Sequence, residues 1–346
     1  MPRPQKLSDE QERQLVGLSD TGISRAELQE MFGLRDTEIS GILARARKAL
    51  RALSPEEQRE ADIEQLIRHA KESQQIMMRL DPVITHKDIV LKGKGAQALL
   101  LAGCFQTGGR WTFHNMIRDR LENLWKHPRL NTLFFGDETE NFYGGGFAGA
   151  RSADEQALSR PMQRRLWNHF MDKYHDKIIG GVASQHGTIW DEKNGFAPIK
   201  DMYLRYNIPF FDGMGYIKLH VGKQVYQLAI AHEFPGNSMW NILHPQKRAS
   251  WQRFPNADLI AQADKHQYAV LDTDVYGNEV LAGNRASTQL LLIQIGTAKG
   301  GPDPYTIRGW ERGTMEWPIV VFFPDEHKMK VTRDVNDALA WLDRPG

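Results

Sequence analysis

The 346-residue chain has one cysteine, no long apolar run and almost no net charge. A single cysteine excludes an internal disulfide framework and a cysteine-rich zinc module. The longest apolar stretches, Ala98 to Phe105 and Pro318 to Pro324, fall far short of the ~20 residues a helix needs to span a bilayer. With 44 basic groups against 43 acidic ones, net +1, there is no global field for gripping nucleic acid, so any grip must be local. The opening residues Met1-Pro-Arg-Pro-Gln-Lys lack the apolar core of a signal peptide, and a cytoplasmic, reducing setting without membrane partners is expected. Internal repeats and low-complexity tracts are missing too. Lys92-Gly-Lys-Gly95 reads as a turn, because a phosphate-cradling loop needs a longer glycine spacing and a Ser or Thr after the Lys.

What is present is 41% hydrophobic residues, enough for a sizeable core. The chain reads as three zones: a helical head over 1–54, a helical connector over 55–82 and an α/β body over 83–346. In the connector Ile63, Leu66, Ile67, Ala70, Met77 and Leu80 recur at helical spacing as one apolar stripe, and Pro82 stops it. In the body the apolar runs predict strands at Ala98–Gly103, Thr132–Phe135, Lys177–Val182, Tyr216–Val221, Val225–Ala231, Leu259–Ala261, Leu290–Ile295 and Pro318–Phe323. Helices are expected at Phe113–Lys126 and Asp154–His175. Trp240, Trp251, Trp310 and Trp317 read as core or interface residues.

The head predicts a first helix with Leu15 and Leu18 on its apolar face. Ser24 and Glu27 form a capping box for a short second helix ending at Gly33. Asp36 or Thr37 starts a third helix that turns Ile39, Ile42 and Leu43 inward. The segment Gly33-Leu-Arg-Asp-Thr-Glu-Ile-Ser-Gly-Ile-Leu43 resembles the recognition segment of homeodomain-like helix-turn-helix modules. The resemblance implies DNA contact through Arg35, Thr37, Ser40 and Arg45, with Arg47 and Lys48 reaching phosphates. The alternative is a small bundle for self-assembly or docking: residues 1–55 hold nine basic and eight acidic groups, and Asp36 and Glu38 would oppose a phosphate.

In the body, chemistry-bearing residues stand just after strands. They are Gly136-Asp137 with Glu140-Asn141, Ser184-Gln185-His186, His232, and Ala263-Asp264-Lys-His266. In order and spacing these resemble the motifs of calcineurin-like metallophosphoesterases, most of all those of phages and mobile elements, over roughly residues 96–342. The resemblance implies an α/β fold, a β-sandwich flanked by helices, that holds two divalent metals. Asp137, Gln185, His232 and Asp264 would ligate one ion, and Asp137 and His266 would serve the other. His186 would protonate the leaving group. Where the family carries an Asp and a His for that other ion, this chain has Cys104 and Gln106. A cysteine thiolate suits zinc or iron better than magnesium or manganese. Two readings follow. One is a degenerate, non-catalytic scaffold with no cofactor, in a DNA-associated, assembly or virion role. The other is an active phosphodiesterase or nuclease with an altered or single site for manganese, zinc or iron. If phage-encoded, the chain would work in the cytoplasm of a bacterial host.

Overall fold

The computed structural model describes residues 7–20, 23–51, 55–80, 83–141, 156–192, 195–236, 238, 240–274, 289–301, 313 and 315–344. The chain divides into two compact units, Met1–Pro82 and Val83–Gly346. The loop of Phe142, Tyr143 and Gly144 to Phe147, the segment around Asp303 to Tyr305, and Trp310 lie outside the described residues, as do the side chains of Arg47 and Lys48.

The first unit holds α1 (Asp9–Asp20), α2 (Arg25–Phe32), α3 (Asp36–Arg51) and α4 (Pro55–Leu80). The predicted capping box forms: Ser24 N donates to Glu27 Oε2 at 2.9 Å, and Glu27 N donates to Ser24 Oγ at 3.3 Å. Gly33, left-handed at φ 64°, ends α2. Leu15, Leu28, Ile39, Ile42 and Leu43 bury together as the core of this unit. On α4 the described part of the apolar stripe faces solvent. Ile63, Leu66, Ile67 and Ala70 are all exposed.

The second unit is built on two six-stranded mixed sheets. One runs in the order β1 (His86–Leu91), β6 (Gly215–Val221), β7 (Gln224–Ala231), β8 (Leu259–Gln262), β10 (Gln289–Gln294), β9 (Ala269–Asp274). The other runs β12 (Met329–Thr332), β11 (Ile319–Phe322), β2 (Gln97–Ala102), β3 (Leu130–Phe134), β4 (Ile178–Val182), β5 (Phe210–Phe211). Strands β2, β3, β4 and β5 are parallel, as are β7, β8 and β10. One continuous core takes Leu99 and Leu133 from the second sheet and Leu219, Leu228 and Ile293 from the first. Each such side chain contributes about 1.5–3 kcal/mol by leaving water.

The eight predicted strands all form, shifted by a residue or two. The four without a predicted counterpart, β1, β5, β9 and β12, are the four sheet edges. Most edge residues keep one side toward solvent, so these strands lack the continuous apolar run of a strand covered on both faces. Helix α5 (His114–Trp125) matches its prediction. Helix α6 (Arg160–Tyr174) starts later than the expected Asp154, because Ser159 is extended and Pro161 sits in the first turn. The longer helices described further along the unit are α7 (Pro198–Arg205), α8 (His244–Gln252) and α9 (Val335–Leu342).

Candidate metal centre

The C-terminal ends of parallel strands from both sheets converge, and their loops carry the candidate residues. Cys104 and Gln106 follow β2, Asp137 to Asn141 follow β3, and a π-turn over Gln185–Ile189 follows β4. His232 follows β7 and Asp264 to His266 follow β8. Seven non-glycine residues among those described have positive φ. Six of them are Cys104, Gln106, Asp137, Asn141, Asp264 and His266. Left-handed backbone costs a non-glycine residue free energy and persists only where surroundings enforce it.

The enforcement is visible. Phe105, between two left-handed neighbours, is fully buried. Its ring lies 5.1, 4.8 and 4.7 Å from those of Phe134, Trp167 and Trp317. Both tryptophans also clamp backbone: Trp317 Nε1 donates to Gly103 O at 3.1 Å and Trp167 Nε1 to Glu138 O at 2.5 Å. Loop joins loop through Cys104 N to Gly136 O and Gln106 N to Asp137 O, both 2.9 Å. At Gly136, φ 82°, a Cβ would lie 2.4 Å from the Ser184 side chain, so only glycine lets these two loops meet.

Asp137 is the hub. Its Oδ2 accepts from Gln106 Nε2 at 2.8 Å, and its Oδ1 accepts from the His186 backbone at 3.2 Å. Its own N–H donates to Ser184 Oγ at 2.7 Å. His232 Nε2 stands 3.5 Å from Asp137 Oδ2 and 3.9 Å from Asp264 Oδ1. His232 Nδ1 donates to Phe135 O at 2.5 Å, which leaves Nε2 as the ring nitrogen facing the site.

Among the described His, Cys, Asp and Glu residues, one buried set has ligand atoms all within 4.8 Å of one another: Cys104, Asp137 and His232. Sulfur, carboxylate oxygen and imidazole nitrogen fit a thiophilic divalent ion such as zinc or iron. Gln106 Oε1 is buried beside them without a hydrogen-bond partner, a further donor atom for a cation. The other predicted ligands lie differently. Asp264 is half-buried and paired with Lys265 at 3.0 Å. His266 is half-buried, and the side chain of Gln185, first in its turn, is exposed.

The electrostatics follow from burial. Burial, then the charges of Asp137 and Asp264, push the Cys104 thiol well above its ordinary value, so it ionises only when a cation replaces its proton. Burial also opposes the Asp137 carboxylate, but His232, His186 and Ser184 outweigh it and hold that group below the ordinary range. His232 is the mirror case: burial opposes its charge, and Asp137 and Asp264 raise it overall. Burial lowers His266 to about 4 despite Asp137 nearby, leaving it neutral at pH 7.

Several structural partners, Glu138, Tyr203 and Lys299 among them, are not predicted as site residues by the sequence. Glu138 is buried, and burial raises its carboxyl to about 7 although the Tyr203 hydroxyl donates to it at 2.7 Å. Lys299 and Glu140 form a buried ion pair at 2.7 Å. His186 Nδ1 donates to Glu140 O at 2.7 Å. Lys299 stands just after β10 and answers the same strand-end signal that marked Asp137 and His232. The Thr297 hydroxyl, also after β10, donates to Cys104 O at 2.7 Å and braces the β2 loop.

In the head, two of the residues expected to face DNA, Arg35 and Arg45, are engaged with neighbouring acids. Arg35 pairs with Glu38 at 3.1 Å and Arg45 with Glu12 at 3.0 Å. Arg25 pairs with Asp36 at 3.2 Å and also donates to Ser40 Oγ at 2.7 Å. Thr37 is exposed.

No family model matches the chain, and no curated protein matches it. Among solved structures, wild-type Vps29 from Entamoeba histolytica, complexed with Zn2+, matches over 69% of this chain and 98% of its own. The identity is 13% and the TM-score 0.31.

Proposed function

We propose that the body is a calcineurin-like metallophosphoesterase-type domain whose altered centre takes one thiophilic divalent ion instead of two, and that it serves as a binding scaffold. The observation that carries this reading is the buried set of Cys104, Asp137 and His232. Gln106 supports the loss of the second ion. Its amide N–H donates to Asp137 Oδ2 at the place where the resembled family puts another ligand. A donor group there answers the carboxylate with a hydrogen bond and removes one half of the two-sided clamp that two-metal hydrolysis uses.

A bound ion would supply Lewis acidity toward a phosphoryl oxygen. The chain's own residues do the holding. Phe135 O fixes the tautomer of His232, Ser184 Oγ accepts the Asp137 N–H, and Phe105 locks Cys104 and Gln106 in place. A second reading, single-site phosphodiester hydrolysis, is favoured by His186, which is only part-buried and oriented through Glu140 O. The head is part of the same proposal, as a helix-turn-helix-like module that meets DNA through α3. The exposed stripe on α4 supports self-assembly as its alternative. A phage or virion setting is the one the resemblance suggests.

Metal content and turnover test the main reading together. The purified chain is expected to carry about one zinc or iron per chain. Cys104→Ser and Asp137→Asn should lose it, and bis-p-nitrophenyl phosphate should stay intact. Cleavage that disappears in both Asp137→Asn and His186→Ala would establish the second reading in its place. A metal-free chain across zinc, iron and manganese would overturn both.

A further inference from the structure

The stretch from Phe234 to Ala257 contains no acid, yet it holds Lys247, Arg248 and Arg253. It also holds Trp240, 93% exposed, and Trp251, 73% exposed. Large aromatic side chains are rarely left in water, and two of them on one short stretch mark a surface built to contact something. The local fold places Trp251 and two of these cations on one face. His244, Lys247, Arg248 and Trp251 recur at helical spacing on the exposed face of α8. The loop bearing Trp240 is folded onto that helix at Gly236, whose missing Cβ would lie 3.6 Å from Arg248 Cδ and 3.8 Å from His244 Cδ2.

The opposite face of α8 is fixed to the strand ends that carry the metal centre. Gln246 Nε2 donates to Ile293 O at 3.1 Å and to Gln294 Oε1 at 3.2 Å. Gln262 Nε2 donates to the same Gln294 oxygen at 2.9 Å, one residue before the turn into Asp264. This surface is therefore mounted on the same loop end of the sheet as Asp264 and His232.

Its chemistry is specific in kind. None of the three cations pairs with an acid among the described residues; Arg248 donates to the neutral Gln252 at 3.0 Å and Arg253 to Met214 Sδ at 3.3 Å. Lys247 Nζ lies 5.4 Å from the Trp251 ring centre. Unneutralised cations beside flat, water-exposed rings suit a polyanion with unstacked bases: phosphates meet the cations and bases stack on the indoles. Duplex DNA offers the phosphates but keeps its bases stacked, so the tryptophans would gain little from it. The geometry points to α8 and the Trp240 loop as a binding platform for single-stranded nucleic acid, a site separate from the expected contact on α3 and independent of any metal.

The test is fluorescence anisotropy of the full chain with a labelled oligothymidylate of about 20 nucleotides at low salt. Binding is expected and should weaken with added salt. The Trp240→Ala/Trp251→Ala pair should weaken it by about tenfold or more. Lys247→Ala/Arg248→Ala/Arg253→Ala should flatten the log–log salt slope by about 2, at roughly 0.7 per lost phosphate contact. Chelator treatment should leave binding unchanged. If the tryptophan variant melts early, Lys247→Glu/Arg248→Glu supplies the same test from exposed positions. The platform is overturned by any of four results: no binding by the full chain, equal binding in all these variants, variants that weaken duplex binding as much as single-strand binding, or variants that alter only the solution mass, which would mark a protein contact.

Discussion

The head and the body handle positive charge in opposite ways. On α2 and α3 each arginine with a described ion pair has an acid within the same small unit, so the expected DNA face is neutralised from inside. On α8 and just after it, three cations have no acid partner among the described residues, and Lys247 lies against the exposed Trp251 ring. Deeper in the body, Lys299 and Glu140 are sealed together away from water. Sequence alone makes all three regions look alike, as basic residues near a site. What separates them is where the acids fall after folding. Exposed pairs screen a surface at little energetic gain, a buried pair becomes structural, and unpaired cations remain available to an outside anion.

That contrast can be broken at several points. The largest effect is expected at the buried pair. Glu140→Leu leaves the Lys299 ammonium without its carboxylate and should cost about 3–5 kcal/mol in denaturant unfolding. A cost below about 1 kcal/mol would place that pair with the surface ones. Next comes Glu138. Its folded carboxyl titrates at about 7, raised from 4.5 by burial, so the folded state favours the protonated form. Stability from this group is full below the unfolded value and is lost as pH rises through the folded one. Glu138→Gln should therefore gain on the wild type by about 3 kcal/mol between pH 4 and pH 8, read as the difference in unfolding free energy of metal-free samples. A pH-independent difference would refute the raised carboxyl.

A smaller effect sharpens the nucleic-acid side. Glu12→Gln/Glu38→Gln frees Arg45 and Arg35, and should strengthen the salt-sensitive grip of the head on duplex DNA. If the double glutamine variant is retained on a duplex DNA column no better than the wild type, the internal neutralisation does not limit that grip. The smallest effect belongs to Arg45→Ala alone, at most about 1 kcal/mol of stability in a thermal melt.

Much of the body was legible, for reasons that particular elements show. Strands such as Gln97–Ala102, Leu259–Gln262 and Ile319–Phe322 are covered on both faces and read as nearly unbroken apolar runs. His86–Leu91 and Ala269–Asp274 lie at edges, carry charges and read as loops. In the centre, Asp137 and His232 stood out because each follows a strand. Phe105 did not, since its role comes from three rings distant in sequence. Trp240 and Trp251 read as core or interface by residue type, and the fold leaves both in water. Only the missing acids around them separate the two roles, and a local absence is a weaker signal than a motif.

The left-handed backbone at Cys104 and Gln106 has one more consequence. Both residues are held in that conformation largely by Phe105 with its aromatic neighbours and by backbone hydrogen bonds to the β3 loop. The frame of the centre is thus separable from its contents. Cys104→Asp/Gln106→His would place new ligand atoms in a socket that is already shaped, so changing the donor set here is a matter of two side chains and not of rebuilding a loop.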